Sequence, residues 1–128
     1  MELFLNFQKL LSDLQIDPDT ANDPVKRMFI FEGAHLTANI ASGTDSRKGL
    51  HTQPEHDELI VVLEGQADFR VGDDVRRVGV GDIIFIPRNT LHGRVRTHSD
   101  KWTALSVYGP HFDRARKNIE WQAADPTT

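Results

Sequence analysis

Two short stretches carry the side chains best suited to chemistry. In Gly49-Leu50-His51-Thr52-Gln53-Pro54-Glu55-His56-Asp57-Glu58, imidazole, amide and carboxylate groups stand at the mouth of an apolar run, Leu59-Ile60-Val61-Val62-Leu63, which ends at Glu64-Gly65. In Gly81-Asp82-Ile83-Ile84-Phe85-Ile86-Pro87-Arg88-Asn89-Thr90-Leu91-His92, a second apolar run passes through a Pro-Arg-Asn turn to one histidine. Imidazole nitrogens and carboxylate oxygens are the donors that divalent first-row metals take, and they also move protons. Two such clusters at strand ends predict a metal or ligand pocket.

The elements that must position these groups are mostly short strands. Residues 26–31, 36–40, 59–63, 67–71, 75–78, 83–86, 93–96 and 102–107 are rich in β-branched and aromatic side chains. Turn signals separate them, among them Gly43-Thr44-Asp45-Ser46, Gly72-Asp73-Asp74 and His98-Ser99-Asp100-Lys101. Many short strands with regular turns predict a β-sandwich or barrel. Ahead of them, Leu3, Phe7, Leu10, Leu11 and Leu14 recur at helical spacing, so residues 2–15 are expected to form an amphipathic helix. Its apolar stripe must be covered by the barrel or by a partner. Pro18 and Pro24, among several Asp and Asn residues, mark a loop after it.

With these residues in place, the chain resembles the cupin superfamily, whose two motifs read G-x5-H-x-H-x3/4-E-x6-G and G-x5-P-x-G-x2-H-x3-N. His51, Glu58, Gly65, Gly81, Pro87 and His92 fall at the matching spacings, while Gln53 stands for the second histidine, Asn89 for a glycine and Arg96 for the final asparagine. The resemblance implies an all-β fold, a double-stranded β-helix (jelly-roll, or cupin barrel) preceded by the short helix. The expected organisation is a helix and loop over 1–24, the barrel over 25–110 and a tail over 111–128, all one domain. In the tail, Phe112, Ile119 and Trp121 are the expected anchors.

The resemblance also implies a ligand set. Residues two apart on a strand share a face, so His51 and Gln53 are expected to project into the barrel, with the turn before Glu58 returning that carboxylate and His92 closing the group. The set His51, Gln53, Glu58 and His92 suits a divalent ion such as Fe, Mn, Ni or Zn. Gln53 offers only a neutral amide oxygen, which makes it a weaker donor than imidazole. The alternative is a barrel in which His51 and Glu58 simply hydrogen-bond to each other. His56 is a second candidate ligand, although its Pro-Glu-His-Asp turn reads as exposed. Glu58 and Tyr108 are the candidates for proton transfer.

If His92 points inward, Arg94 and Arg96 share its face and Val95 packs outward, so guanidinium groups would meet a carboxylate or phosphate on the ligand. A bulge there would instead turn both arginines to solvent. Phe85 and Trp102 are expected to line the pocket beside them, and Phe31, Ile60 and Val62 are further strand residues that could do so.

Composition narrows the class. The chain has 128 residues, no cysteine and a formal net charge of −4, without a basic block or an interleaved aromatic-basic face. Disulfide and thiol chemistry are excluded, and nucleic acid is a poor partner. No run reaches the roughly 18 apolar residues that a membrane span needs, and a cytoplasmic location is expected. A helix stripe in need of cover, together with an apolar run at 59–63, predicts a homodimer. Two functional readings follow: a metal-dependent oxygenase, lyase or isomerase acting on a small anionic substrate, or a non-catalytic cupin that binds or senses a small ligand.

Overall fold

A computed structural model describes residues 3–14, 26–43, 50–110 and 120–121. The expected loop after the helix and most of the tail lie outside them. One helix, α1 (Phe7–Ser12), precedes ten strands. These are β1 (Lys26–Glu32), β2 (Thr37–Gly43), β3 (His51–Thr52), β4 (Asp57–Glu64), β5 (Ala67–Val71), β6 (Asp74–Val78), β7 (Ile83–Ile86), β8 (His92–Thr97), β9 (Trp102–Gly109) and β10 (Glu120–Trp121). They form two antiparallel five-stranded sheets, ordered β1-β2-β9-β4-β7 and β10-β3-β8-β5-β6. The expected all-β jelly roll is the observed architecture.

The apolar runs become strands because alternate residues have a core to enter. Along β4, Glu58, Ile60 and Val62 are buried, and along β9 Trp102, Ala104, Ser106 and Tyr108 are buried. Ile60, Val62, Ala67, Phe69, Ile86, Trp102 and Ala104 form the core between the sheets. Pairing of β4 with both β9 and β7 sets Glu58 opposite Tyr108 on one side and Ile86 on the other. That register carries the motif carboxylate inward.

Two motif positions are explained by backbone conformation. Gly65 has φ +92°, and a Cβ there would collide with the carbonyl oxygen of Lys101. Asn89, where the family pattern has glycine, has φ 61°, and asparagine is among the few side chains that adopt the left-handed region readily.

Several expectations are corrected. The helix is shorter than 2–15: the Asn6 side chain accepts hydrogen bonds from the backbone of Gln8 and Lys9, starting the helix at Phe7. None of its residues is buried, and Leu3, Phe4 and Phe7 are largely exposed. The described residues cover the stripe only in part, leaving Leu10, Leu11 and Leu14 half-buried. In the tail, β10 joins the second sheet by pairing with β3, setting Trp121 opposite His51 and Glu120 opposite Thr52. The two-residue β3 is too short for a propensity pattern, and β10 forms only because β3 offers an edge.

Candidate functional site

Strands β3, β4 and β8 bring three of the expected donors together. His51 and His92 are register partners with ring centroids 4.1 Å apart, tilted by 55°. His92 Nε2 lies 3.3 Å from Glu58 Oε1, and all three side chains are buried. They line one cavity with Arg27, Arg94, Trp102, Ser106 and Tyr108, floored by Ile60, Phe69 and Ala104. Its volume, open mouth included, is about 480 Å³.

Nδ1 of His92 lies 2.9 Å from the carbonyl oxygen of Thr90, which can only accept, so Nδ1 donates there and Nε2 is the ring nitrogen turned toward Glu58. Nε2 and Oε1 are buried, and neither makes a hydrogen bond of proper geometry. A buried imidazole nitrogen and a carboxylate oxygen this close call for a positive particle between them, a proton or a cation. Burial by itself would raise the pKa of Glu58, but the close approach of His92, with His51 and Arg27 nearby, outweighs it and holds the carboxyl below its ordinary value.

Tyr108 stands beside this cluster on β9, 1 % exposed. Burial, and then the charge of Glu58, push its phenol above the ordinary value, against the opposing effects of Arg27 and Asn39. At neutral pH it is a protonated donor. Arg27, on β1, was missed by the sequence reading although it lies in the expected strand. The signal was available: it is a single arginine at an alternating position of an otherwise apolar run, and β1 pairing sets it opposite Ala41 on the inner face.

Gln53 is placed differently from the expectation. Strand β3 ends at Thr52, so the two-residue alternation does not extend to Gln53, whose carbonyl accepts a hydrogen bond from the Asn89 backbone instead. Its side chain is not among those lining the cavity, yet it is 1 % exposed with both amide atoms lacking a hydrogen bond. His56 is buried rather than exposed: its Nδ1 is 2.9 Å from the Pro110 carbonyl, and its ring meets the Tyr108 ring edge-on at 6.0 Å. It does not line the cavity.

The two arginines of β8 part company. Between β5 and β8 the register skips a residue, pairing Phe69 with Arg94 but Asp68 with Arg96, so a bulge at Val95 reverses the alternation. Arg94 is buried, with its guanidinium 5.4 Å from the centre of the Trp102 ring and one nitrogen donating to Thr97 Oγ1 at 2.9 Å. Arg96 is exposed, and the expectation that it reaches the pocket is corrected. Phe85 is corrected too: on β7, Ile84 and Ile86 take the inner positions, leaving Phe85 58 % exposed on the outer face. Trp102 does line the cavity, where it stacks with Phe69 at 6.4 Å and carries Arg94.

A metal fits part of this arrangement. Among the described residues no group of three or more His, Asp or Glu side chains is already arranged around a common metal position. The His92–Glu58 pair, however, brings a buried nitrogen and a buried carboxylate oxygen within 3.3 Å without a well-formed hydrogen bond, a place where a cation fits, and His51 adjoins it.

Comparison with known proteins agrees with this fold. No curated protein sequence matches the chain. Among solved structures, KdgF from Halomonas sp. is 19 % identical with a TM-score of 0.71, over 90 % of this chain and 98 % of that one. A protein from Planctomyces limnophilus is 20 % identical with a TM-score of 0.70, over 94 % and 96 %. Streptomyces Pac13, described as a unique nucleoside dehydratase, is 14 % identical with a TM-score of 0.65, over 79 % and 80 %. At these identities the likeness is one of fold. The family model described as Cupin domain matches residues 37–108, which include every strand from β2 to β9, and the chain belongs to the cupin family.

Proposed function

We propose that this cupin binds a small anionic molecule in its barrel cavity and acts on it with a divalent cation held by His51, Glu58 and His92. The observation that carries the reading is the buried approach of His92 Nε2 to Glu58 Oε1 at 3.3 Å, with His51 beside them. A cation there would polarise an oxygen of the ligand as a Lewis acid. Gln53, whose side chain does not line the cavity, is left out of the ligand set. Around the cluster the chain supplies a carboxylate, a protonated phenol at Tyr108 and guanidinium groups at Arg27 and Arg94, which suit proton transfer on a ligand held by its negative charge. A dioxygenase, lyase or isomerase reaction is compatible with this set.

The test is elemental analysis of tag-free protein purified without chelator, beside His51→Ala/His92→Ala and Gln53→Leu variants. Near one equivalent of Fe, Mn, Ni or Zn is expected in the parent and none in the double variant. Gln53→Leu should leave metal retention unchanged while raising the melting temperature, because it removes a buried unsatisfied amide. Metal content that the double variant leaves unchanged would overturn the assignment and favour a cupin that only binds a ligand.

A further inference from the structure

The outward side of the first sheet is apolar from edge to edge, and the chain covers only part of it. We infer that this face receives a second copy of the chain, the N-terminal segment of each copy, residues 3–7, packing on the outer face of β4 and β7 of the other. This surface lies on the opposite side of the sheet from the cavity, so the dimer stands or falls apart from the proposed function.

Register builds the face in rows. One row runs Ile83, Val61, Leu105, Ile40 and Met28 across β7, β4, β9, β2 and β1, and the next runs Phe85, Leu59, Val107, Ala38 and Phe31. No side chain in either row is charged. Two residues further along the strands, Asp57 stands at one end and Lys26 and Ser42 at the other, so an apolar centre is bounded by a polar rim. The second sheet differs, since its outward positions set Asp68 opposite Arg77 and Arg96, with Arg70 beside them. Burial falls along the apolar rows. Ile40 and Ala38 on β2 are buried, Val61, Leu105 and Val107 are half-buried, and Leu59, Ile83 and Phe85 are exposed. Coverage by the chain's own residues gives out at β4 and β7.

A cover of matching chemistry is present in the same chain. Leu10, Leu11 and Leu14 of the N-terminal stripe are half-buried, whereas Leu3, Phe4 and Phe7 ahead of them are 73 %, 90 % and 48 % exposed. Area decides that both surfaces are used. Taking about 200 Å² for a fully exposed large side chain, the open part of the β4–β7 face comes to roughly 400 Å² and residues 3–7 to about as much again. A stable dimer takes about 800 Å² from each partner, so neither surface suffices alone and the two together do. A twofold axis sets each copy's segment on the other's face and buries both surfaces at once.

Because the chain has no cysteine, introduced thiols read the contact directly. Phe7→Cys and Phe85→Cys are placed on separate full-length chains, one of them mass-tagged, then co-expressed and oxidised. The control pairs Phe7→Cys with Val95→Cys, 48 % exposed on the second sheet. A disulfide forms only where Cα atoms come within about 7 Å, so a yield of mixed covalent dimer at least about fivefold above the control is expected. Sedimentation equilibrium gives a second readout. The parent is expected to be a dimer at micromolar concentration, and Phe4→Asp/Phe7→Asp to weaken it by at least about 100-fold, as loss of two aromatic anchors implies. Should that variant fail to fold, the thiol pair decides. A monomeric parent would leave the face to a different partner and overturn the inference, as would a thiol pair no better joined than the control. A dimer lost in Ile83→Asp/Phe85→Asp but unchanged in Phe4→Asp/Phe7→Asp would overturn the role given to residues 3–7.

Discussion

Glu58→Gln keeps the shape of the side chain and removes its charge, which isolates the electrostatics of the cluster. Glu58 is 4 % exposed, and its carboxylate lies 3.3 Å from His92 Nε2, with His51 and Arg27 also acting on it. At that separation a unit charge opposite it is worth about 5 kcal/mol for an effective dielectric near 20. The amide also spares the cost of burying an anion, so the net loss for a bound cation should be about 2–3 kcal/mol, or roughly 30- to 150-fold in affinity. Chelator competition on parent and variant measures this directly. A second readout comes from pH. Because the native state holds Glu58 below its ordinary value of 4.5, its ionisation stabilises the fold above that value, and the contribution is lost as the pH falls through the native pKa. Thermal melts from pH 7 down to 3 should therefore show the parent more stable than Glu58→Gln near neutrality, with the gap closing in acid. Metal affinity within threefold of the parent, together with parallel acid profiles, would refute the reasoning.

Two further outcomes are expected. Gly65→Ala should cost about 2–4 kcal/mol, since a methyl would collide with the Lys101 carbonyl and φ would stay at +92°, and the melting temperature should fall by roughly 10 °C without changing the ligand contacts. The outer face at β4 and β7 exposes Leu59, Ile83 and Phe85, at 39 %, 67 % and 58 %, and β7 is an edge strand. With the stripe of α1 also only partly covered, sedimentation velocity should find a homodimer that Ile83→Asp/Phe85→Asp converts to monomer, whereas a monomeric parent would remove the expected dimer.

What the residues alone determined was the fold and most of the cluster. Motif spacing around Glu58, Gly65, Gly81 and His92 was legible because each answers a local demand: a strand-end donor, a turn, a left-handed residue, an alternating face. Strand alternation likewise sufficed for Trp102 and Tyr108, which share the inner face of β9. Alternation failed where the chain stopped being a regular strand. It could not show that β3 ends before Gln53 or that a bulge at Val95 separates Arg94 from Arg96, and on the regular strand β7 it left open which of the two faces turns inward. Each of these depends on which strand lies alongside and in what register. Arg27 and the tail strand β10 belong to the same class, since β1 and β10 acquire their meaning only from distant partners, β2 and β3. Local side-chain chemistry named the donors, and long-range pairing decided which of them share a cavity, because a one-residue shift in register turns a side chain from the interior to solvent.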